Sequence, residues 1–162
     1  MVKLRQFKPS DTAAIIHLFR ETVHAVGARY YTQEQVAAWA PIADWTSEEI
    51  EADVARWQKN LEINITLIAE RDSVIVGFAD MEKSGYLDHM FVKKEYQARG
   101  VGLRLFKELE QIARELGLEK ITTHASIMAM PLAKRMGFVV IREEIVVRFG
   151  VGIKRYEMEK NL

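Results

Sequence analysis

Between Gly85 and Gly117 the chain reads GYLDHMFVKKEYQARGVGLRLFKELEQIARELG, and this stretch constrains the fold most sharply. Its first part, GYLDHMFV, is an apolar run of strand length. Its last part places Leu105, Phe106, Leu109, Ile112, Ala113 and Leu116 on one helical stripe, with Gly117 as the stop. The join carries Gly100 and Gly102, although glycine in a helix costs roughly 1 kcal/mol relative to alanine. A strand running through a glycine turn into an amphipathic helix implies a sheet covered by helices.

The rest of the chain supplies the matching elements. VKLRQF alternates as a first strand, and PSDTAAIIHLFRETVHAV follows as a helix with Ser10 or Asp11 as its N-cap. YTQEQVAAWAP and TSEEIEADVARWQKNL are two further helical pieces. Each opens on a capping-box spacing, Thr32 with Gln35 and Thr46 with Glu49. NITLIAE and SVIVGFADMEK predict a hairpin around Arg71-Asp72. After the long helix come a strand (KITTHA), a short helix (IMAMPLAKRMG) and two closing strands, FVVIREEIVV and GIKRYEMEK. The expectation is a mixed α/β chain, one domain over residues 1–162, with a central and partly parallel sheet flanked by helices.

Such a fold needs one sizeable core, which 162 residues at 49% apolar content can bury. With 23 basic and 23 acidic residues the net charge is zero, so the basic excess of a nucleic-acid binder is missing. The absence of cysteine excludes disulfides, thiolate zinc sites and cysteine nucleophiles, and no metal is expected. No apolar run approaches the ~20 residues that span a bilayer. MVKLRQFKPSD is too polar for a secretory signal, which makes a soluble, cytoplasmic protein the expectation.

The glycine turn has a chemistry of its own. A helix N-terminus presents unsatisfied N–H groups and partial positive charge, so a phosphate placed there collects several hydrogen bonds. Gly100 and Gly102 would let its oxygens reach the backbone without meeting a Cβ. A plain turn would also use two glycines. Two familiar nucleotide signatures fail: Leu103-Arg104 follows Gly102 where a P-loop needs Lys-Ser/Thr, and Leu105 stands where the dinucleotide fingerprint needs glycine.

The spacing that remains resembles the Gln/Arg-x-x-Gly-x-Gly/Ala signature of the GNAT acyltransferase superfamily, here Gln97-Ala98-Arg99-Gly100-Val101-Gly102. MFVKKEYQARGVG is similar to the family's fourth strand and pyrophosphate loop. ASIMAMPLAKRMGF resembles its second cofactor motif, ending at Gly137-Phe138, and FGVGIKRYEMEK resembles its closing strand. The resemblance implies an N-acetyltransferase with acetyl-CoA as cosubstrate, attacked directly by a primary amine in a ternary complex. It implies that backbone from Gln97 through Ala98, Arg99, Gly100, Val101 and Gly102 to Leu103 holds the pyrophosphate. Met90, Phe91 and Val92 would run beside the pantetheine arm, and Ser126 would touch the cofactor or simply cap the short helix. The same fold also accommodates a non-catalytic acyl-CoA sensor or an interaction module, and a homodimer through the closing strands is compatible with the family.

Direct attack needs a base for the amine and an acid for the departing thiolate. Parity places Tyr86, Asp88 and Met90 on one face of their strand and Leu87, His89 and Phe91 on the other, unless a bulge intervenes. Asp88 is the leading base, because a carboxylate inside an apolar strand is costly unless used or paired. His89 has the better unperturbed pKa, although a strand histidine is more often a satisfied structural residue. Many relatives carry a tyrosine four residues before Gly-Phe. Ala133 occupies that slot, leaving Tyr156, Ser126 or water as the acid. Tyr30 and Tyr31 cannot both face one core, so one should border the acceptor cleft, while the tryptophans serve as core or as ligand walls. Glu48, Glu49, Glu51 and Asp53 would draw a cationic amine or merely form a solvated helix face. A small-molecule amine is the expected acceptor.

Overall fold

Residues 1–41 and 45–162 are described by a computed structural model. Its strands are β1 (Lys3–Gln6), β2 (Ile65–Arg71), β3 (Val74–Met81), β4 (Tyr86–Val92), β5 (Lys120–Ser126), β6 (Val139–Arg148) and β7 (Val151–Asn161). They form one sheet in the order β1-β2-β3-β4-β5-β7-β6, with β4 and β5 parallel and the other neighbours antiparallel. Helices α1 (Thr12–Gly27), α2 (Gln33–Trp39) and α3 (Ser47–Ile63) cover one face around Ile15, Leu18, Trp57 and Phe78. Helices α4 (Val101–Glu115) and α5 (Met130–Arg135) cover the other around Leu105, Phe106, Ile121 and Met158.

Local chemistry explains most of the boundaries. Both capping boxes form: Thr32 Oγ1 accepts from the Gln35 amide and Thr46 Oγ1 from the Glu49 amide, each at 3.2 Å. The start of α1 departs from expectation. Pro9–Asp11 is a 3-10 turn, and no side chain caps the helix behind it. Asp11 instead accepts from the Lys8 amide at 2.8 Å and from both terminal nitrogens of Arg5 at 2.8 and 2.9 Å. A charge-assisted fork outcompetes an orphan amide. On α4, Leu105, Phe106, Leu109 and Ala113 are fully buried, each large side chain worth about 1.5–3 kcal/mol of burial. Leu116, expected on that stripe, is 52% exposed. The helix has already ended, and Gly117 takes φ +73° while the Leu118 amide closes back on Ala113 O at 3.1 Å.

Strand β4 contains the decisive irregularity. Asp80 pairs with His89, but the next β3 residue, Met81, pairs with Leu87, so Asp88 is the extra residue of a β-bulge. Simple alternation therefore fails here. Leu87 joins Met90 and Val92 in the α4-side core, while His89 and Phe91 pack with Phe19 on the α1 side. Beside the bulge, β4 and β5 pair only at Tyr86–Thr122 and Leu87–Thr123. No further ladder pair between them follows among the described residues, and a cleft occupies the region beyond.

Candidate active site

The cleft has a volume of about 260 Å³. Its apolar wall comes from three helices and β4: Phe19 stacks edge-on to Phe91 with ring centroids 5.1 Å apart and lies 5.1 Å from Trp57, while Trp39 meets Tyr31 at 5.6 Å. Of these, Phe19, Trp39 and Trp57 are helical residues that pack with the α1-side core and wall the cleft at once. Both sequence readings apply to the same side chains.

Three titratable groups meet at the bulge. Asp80 is fully buried; its Oδ2 accepts from Asn64 Nδ2 at 2.7 Å, and its Oδ1 from His89 Nδ1 at 2.9 Å. Asp88 Oδ2 lies 3.5 Å from the same His89 nitrogen. The His89 ring packs against Trp57 at a tilt of 35°, centroids 4.8 Å apart. Burial opposes its positive charge, but the Asp80 hydrogen bond and the charges of Asp80 and Asp88 outweigh that, so His89 titrates above its ordinary value. Asp88 also sits above the ordinary carboxylate range. Burial is the main cause; the charge of His89 pulls the other way, and repulsion from Asp80 and Glu82 adds to the rise. One ligand atom each from Asp80, Asp88 and His89 falls within 4.8 Å of the others, but both Asp80 oxygens are already accepting hydrogen bonds.

A second constellation is made of backbone. After β4 the Gln97 side chain donates to Val92 O at 2.9 Å, tying the loop to the strand. Ala98 and Gly100 take φ +57° and +79°, which aligns the turn for entry into α4. The Gln97 amide donates to Lys94 O, and the next internal bond is from the Arg104 amide to Gly100 O. Among the described residues, the intervening amides from Ala98 to Leu103 find no backbone acceptor outside the helix ladder, as expected at a helix N-terminus. A Cβ added at Gly102 would stand 3.6 Å from Leu132 and 3.7 Å from Val92, so the glycine leaves a narrow space between the strand and α5. These residues fit a pyrophosphate cradle.

The other expected positions fall out unevenly. Asp88, His89, Met90, Phe91 and Ser126 line the cleft; Tyr156 does not, and is packed on the α4-side core. Of the two tyrosines, Tyr31 lines the cleft and Tyr30 is 48% exposed. The Tyr31 hydroxyl donates to Lys154 O and accepts from the Ile127 amide, both at 2.8 Å, which makes it a strut between α2 and the sheet. Ser126 Oγ accepts from the Ala129 amide at 3.1 Å, closing the turn ahead of α5 without capping the helix, and still faces the cleft. Ala133 is buried on the cleft wall. The acidic run splits: Glu48, Glu49 and Glu51 are exposed, and Asp53 turns inward to pair with Arg20 and Arg56.

Sequence reasoning missed Asp80, though a carboxylate within VIVGFADM carries the same signal as Asp88. It also missed the contact of the Tyr86 hydroxyl with His124 Nδ1 at 2.9 Å, since 38 residues separate the partners.

A parallel pair splayed at a bulge, an amide-lined glycine turn and a buried acid-base cluster define an acyl-transfer fold. Residues 28–162 match the family model described as the acetyltransferase (GNAT) domain, and the chain belongs to that family. It is 30% identical over 145 residues to the uncharacterized N-acetyltransferase YafP of Escherichia coli, covering 90% of this chain and 86% of that one. It superposes with TM-score 0.88 and 29% identity on a GCN5-related N-acetyltransferase from Rhodopseudomonas palustris, covering 99% of this chain and 95% of the other. The fold is shared with PaiA N-acetyltransferase from Thermoplasma acidophilum in complex with coenzyme A (TM-score 0.74, 21% identity, coverage 100% and 99%). Among the described residues no helix is long and apolar enough to cross a membrane.

Proposed function

We propose that the protein transfers an acetyl group from acetyl-CoA to the primary amine of a small molecule. Support for the donor comes from family membership and from the amide turn at Gln97–Leu103, which suits a pyrophosphate. Met90 and Val92 lie along the strand leading into that turn, where an extended pantetheine arm can add like a strand. Acetyl-CoA supplies the thioester, whose C–S bond breaks as the new C–N bond forms.

The observation that carries the catalytic reading is the bulge, which turns Asp88 into the cleft beside His89. Asp88 takes a proton from the incoming ammonium, which frees the nitrogen lone pair for attack. Its raised affinity for a proton makes it a stronger base than an ordinary carboxylate, and general-base catalysis of this kind is worth about 10²–10⁴-fold. Asp80 holds His89 in place and favours its charged form, and the charge of His89 partly offsets the effect of burial on Asp88. Tyr86, which burial keeps in its phenol form, and Ser126 both line the cleft, and either hydroxyl can return a proton to the thiolate.

The test is thiol release from acetyl-CoA over a panel of small amines. Wild-type turnover should rise with pH through the Asp88 ionisation. Asp88→Asn should lower kcat by about 10²–10⁴ and remove that acid limb. An unaltered pH profile in the variant would remove Asp88 from the role. Tight CoA binding with no transfer to any amine would favour a sensor.

A further inference from the structure

The charges around the cleft do not suit a bare cation. Among the described residues its lining includes five basic side chains, Arg20, Arg56, Arg148, Lys154 and Arg155, against two carboxylates, Asp53 and Asp88. Four of the five are engaged: Arg20 and Arg56 with Asp53, Lys154 with Glu143 at 2.8 Å, and Arg155 with Glu144 at 2.6 Å. Arg148 is not. It ends β6 at the rim of the cleft, exposed, with no carboxylate or carbonyl partner among the described residues. It is nevertheless close enough for its charge to act on both Asp88 and His89. The acidic run that would attract a simple amine, Glu48 to Glu51, is solvent-facing on α3.

We propose that the acceptor is an amino acid-like amine, whose carboxylate is held by Arg148 while its amine meets Asp88 and its apolar side chain sits against Phe19, Trp39 and Trp57. This deepens the acetyl-transfer reading and rests on it. A guanidinium at the rim and a carboxylate at the bulge are opposite charges on one cavity, separated by more than an ion-pair distance. That polarity matches a zwitterion and orients it with the nitrogen inward. A planar guanidinium presents paired donors that suit a carboxylate, and among the described residues it has no internal partner to give up. The aromatic wall then selects for an apolar body over a polar one.

The experiment compares phenylalanine, leucine and methionine with their primary amides in the thiol-release assay. In parallel, each compound is titrated into the CoA-saturated protein by following the fluorescence of the cleft tryptophans. The acids should be preferred by about tenfold to hundredfold in kcat/KM, the worth of a charge-assisted hydrogen-bond pair. Arg148→Gln should collapse that ratio through KM for the acids, and Arg148→Lys should restore part of it. Arg142→Gln removes the same charge from the same strand outside the cleft and should keep the ratio. Turnover of amides as good as that of acids, or a ratio untouched by Arg148→Gln, overturns the proposal while leaving acetyl transfer intact. If no amine is acetylated but the acids bind in an Arg148-dependent way, the anion site stands and the transfer reading falls. If the acids neither react nor bind, the proposal is overturned.

Discussion

The glycine turn and the bulge cluster lie at opposite ends of one strand, and they are built from different material. At the turn, the groups offered to a ligand are main-chain amides from consecutive residues, and side chains matter mostly by being small. At the bulge, the groups are side chains from β3 and β4, steadied by Asn64 behind α3 and by Trp57 on it. The first site is fixed by local backbone geometry and tolerates changes of side chain that keep that geometry. The second depends on a buried charge whose every partner is needed. A protein that must hold a constant donor and choose its own acceptor has reason to divide the work in this way.

The contrast is open to attack, and the buried carboxylate offers the largest effect. Asp80→Ala removes the partner of both Asn64 and His89, and breaking a buried charged pair of this kind should cost about 3–5 kcal/mol in denaturant unfolding. Asp80→Asn keeps the shape and isolates the charge. In the folded protein His89 is held above its ordinary value, so its pairing stabilises fully below about pH 6.5. That increment is lost as pH climbs through the folded-state value. Wild type should therefore lose stability as pH rises above about 6.5 more steeply than Asp80→Asn; equal slopes would mean that His89 is not charged by its partner.

The loop should answer differently. Gly102→Leu should weaken CoA binding by about tenfold to hundredfold, the loss of one amide–phosphate bond or two, while the melting temperature barely moves. Gly102→Ala should be mild, because its Cβ meets Leu132 and Val92 at ordinary contact distance. If alanine were as harmful as leucine in calorimetric CoA titrations, the space at Gly102 would not be the governing feature. The smallest effect belongs to Ala98, a non-glycine residue at φ +57°. Ala98→Gly should relieve that strain and raise unfolding stability by no more than about 1 kcal/mol, with CoA affinity retained. A marked loss of affinity would mean that the loop relies on the methyl group, against the main-chain account.

Legibility followed the same division. The helix from Val101, the two capping boxes and the order of all seven strands could be read because each is fixed by residues a few positions apart. The amide turn was legible for that reason too. Asp88 could be named as the leading base and His89 as a second candidate, but their meeting with Asp80 could not be foreseen, since the bulge that brings them together is a matter of register with β3. Tyr30 and Tyr31 were equivalent in the sequence; only the packing of α2 against β7 turned Tyr31 inward and left its neighbour outside. Asp53 was indistinguishable from the glutamates around it until Arg20 drew it in from another helix.

The sequence by itself therefore determined the mixed α/β order, the glycine turn and the family, because periodicity, capping and glycine spacing act over one or two helical turns. Tertiary structure alone decided which carboxylates meet His89, which aromatics wall the cleft and which cleft arginine has no partner among the described residues. Those outcomes depend on desolvation and charge between residues tens of positions apart, and no short-range pattern encodes them.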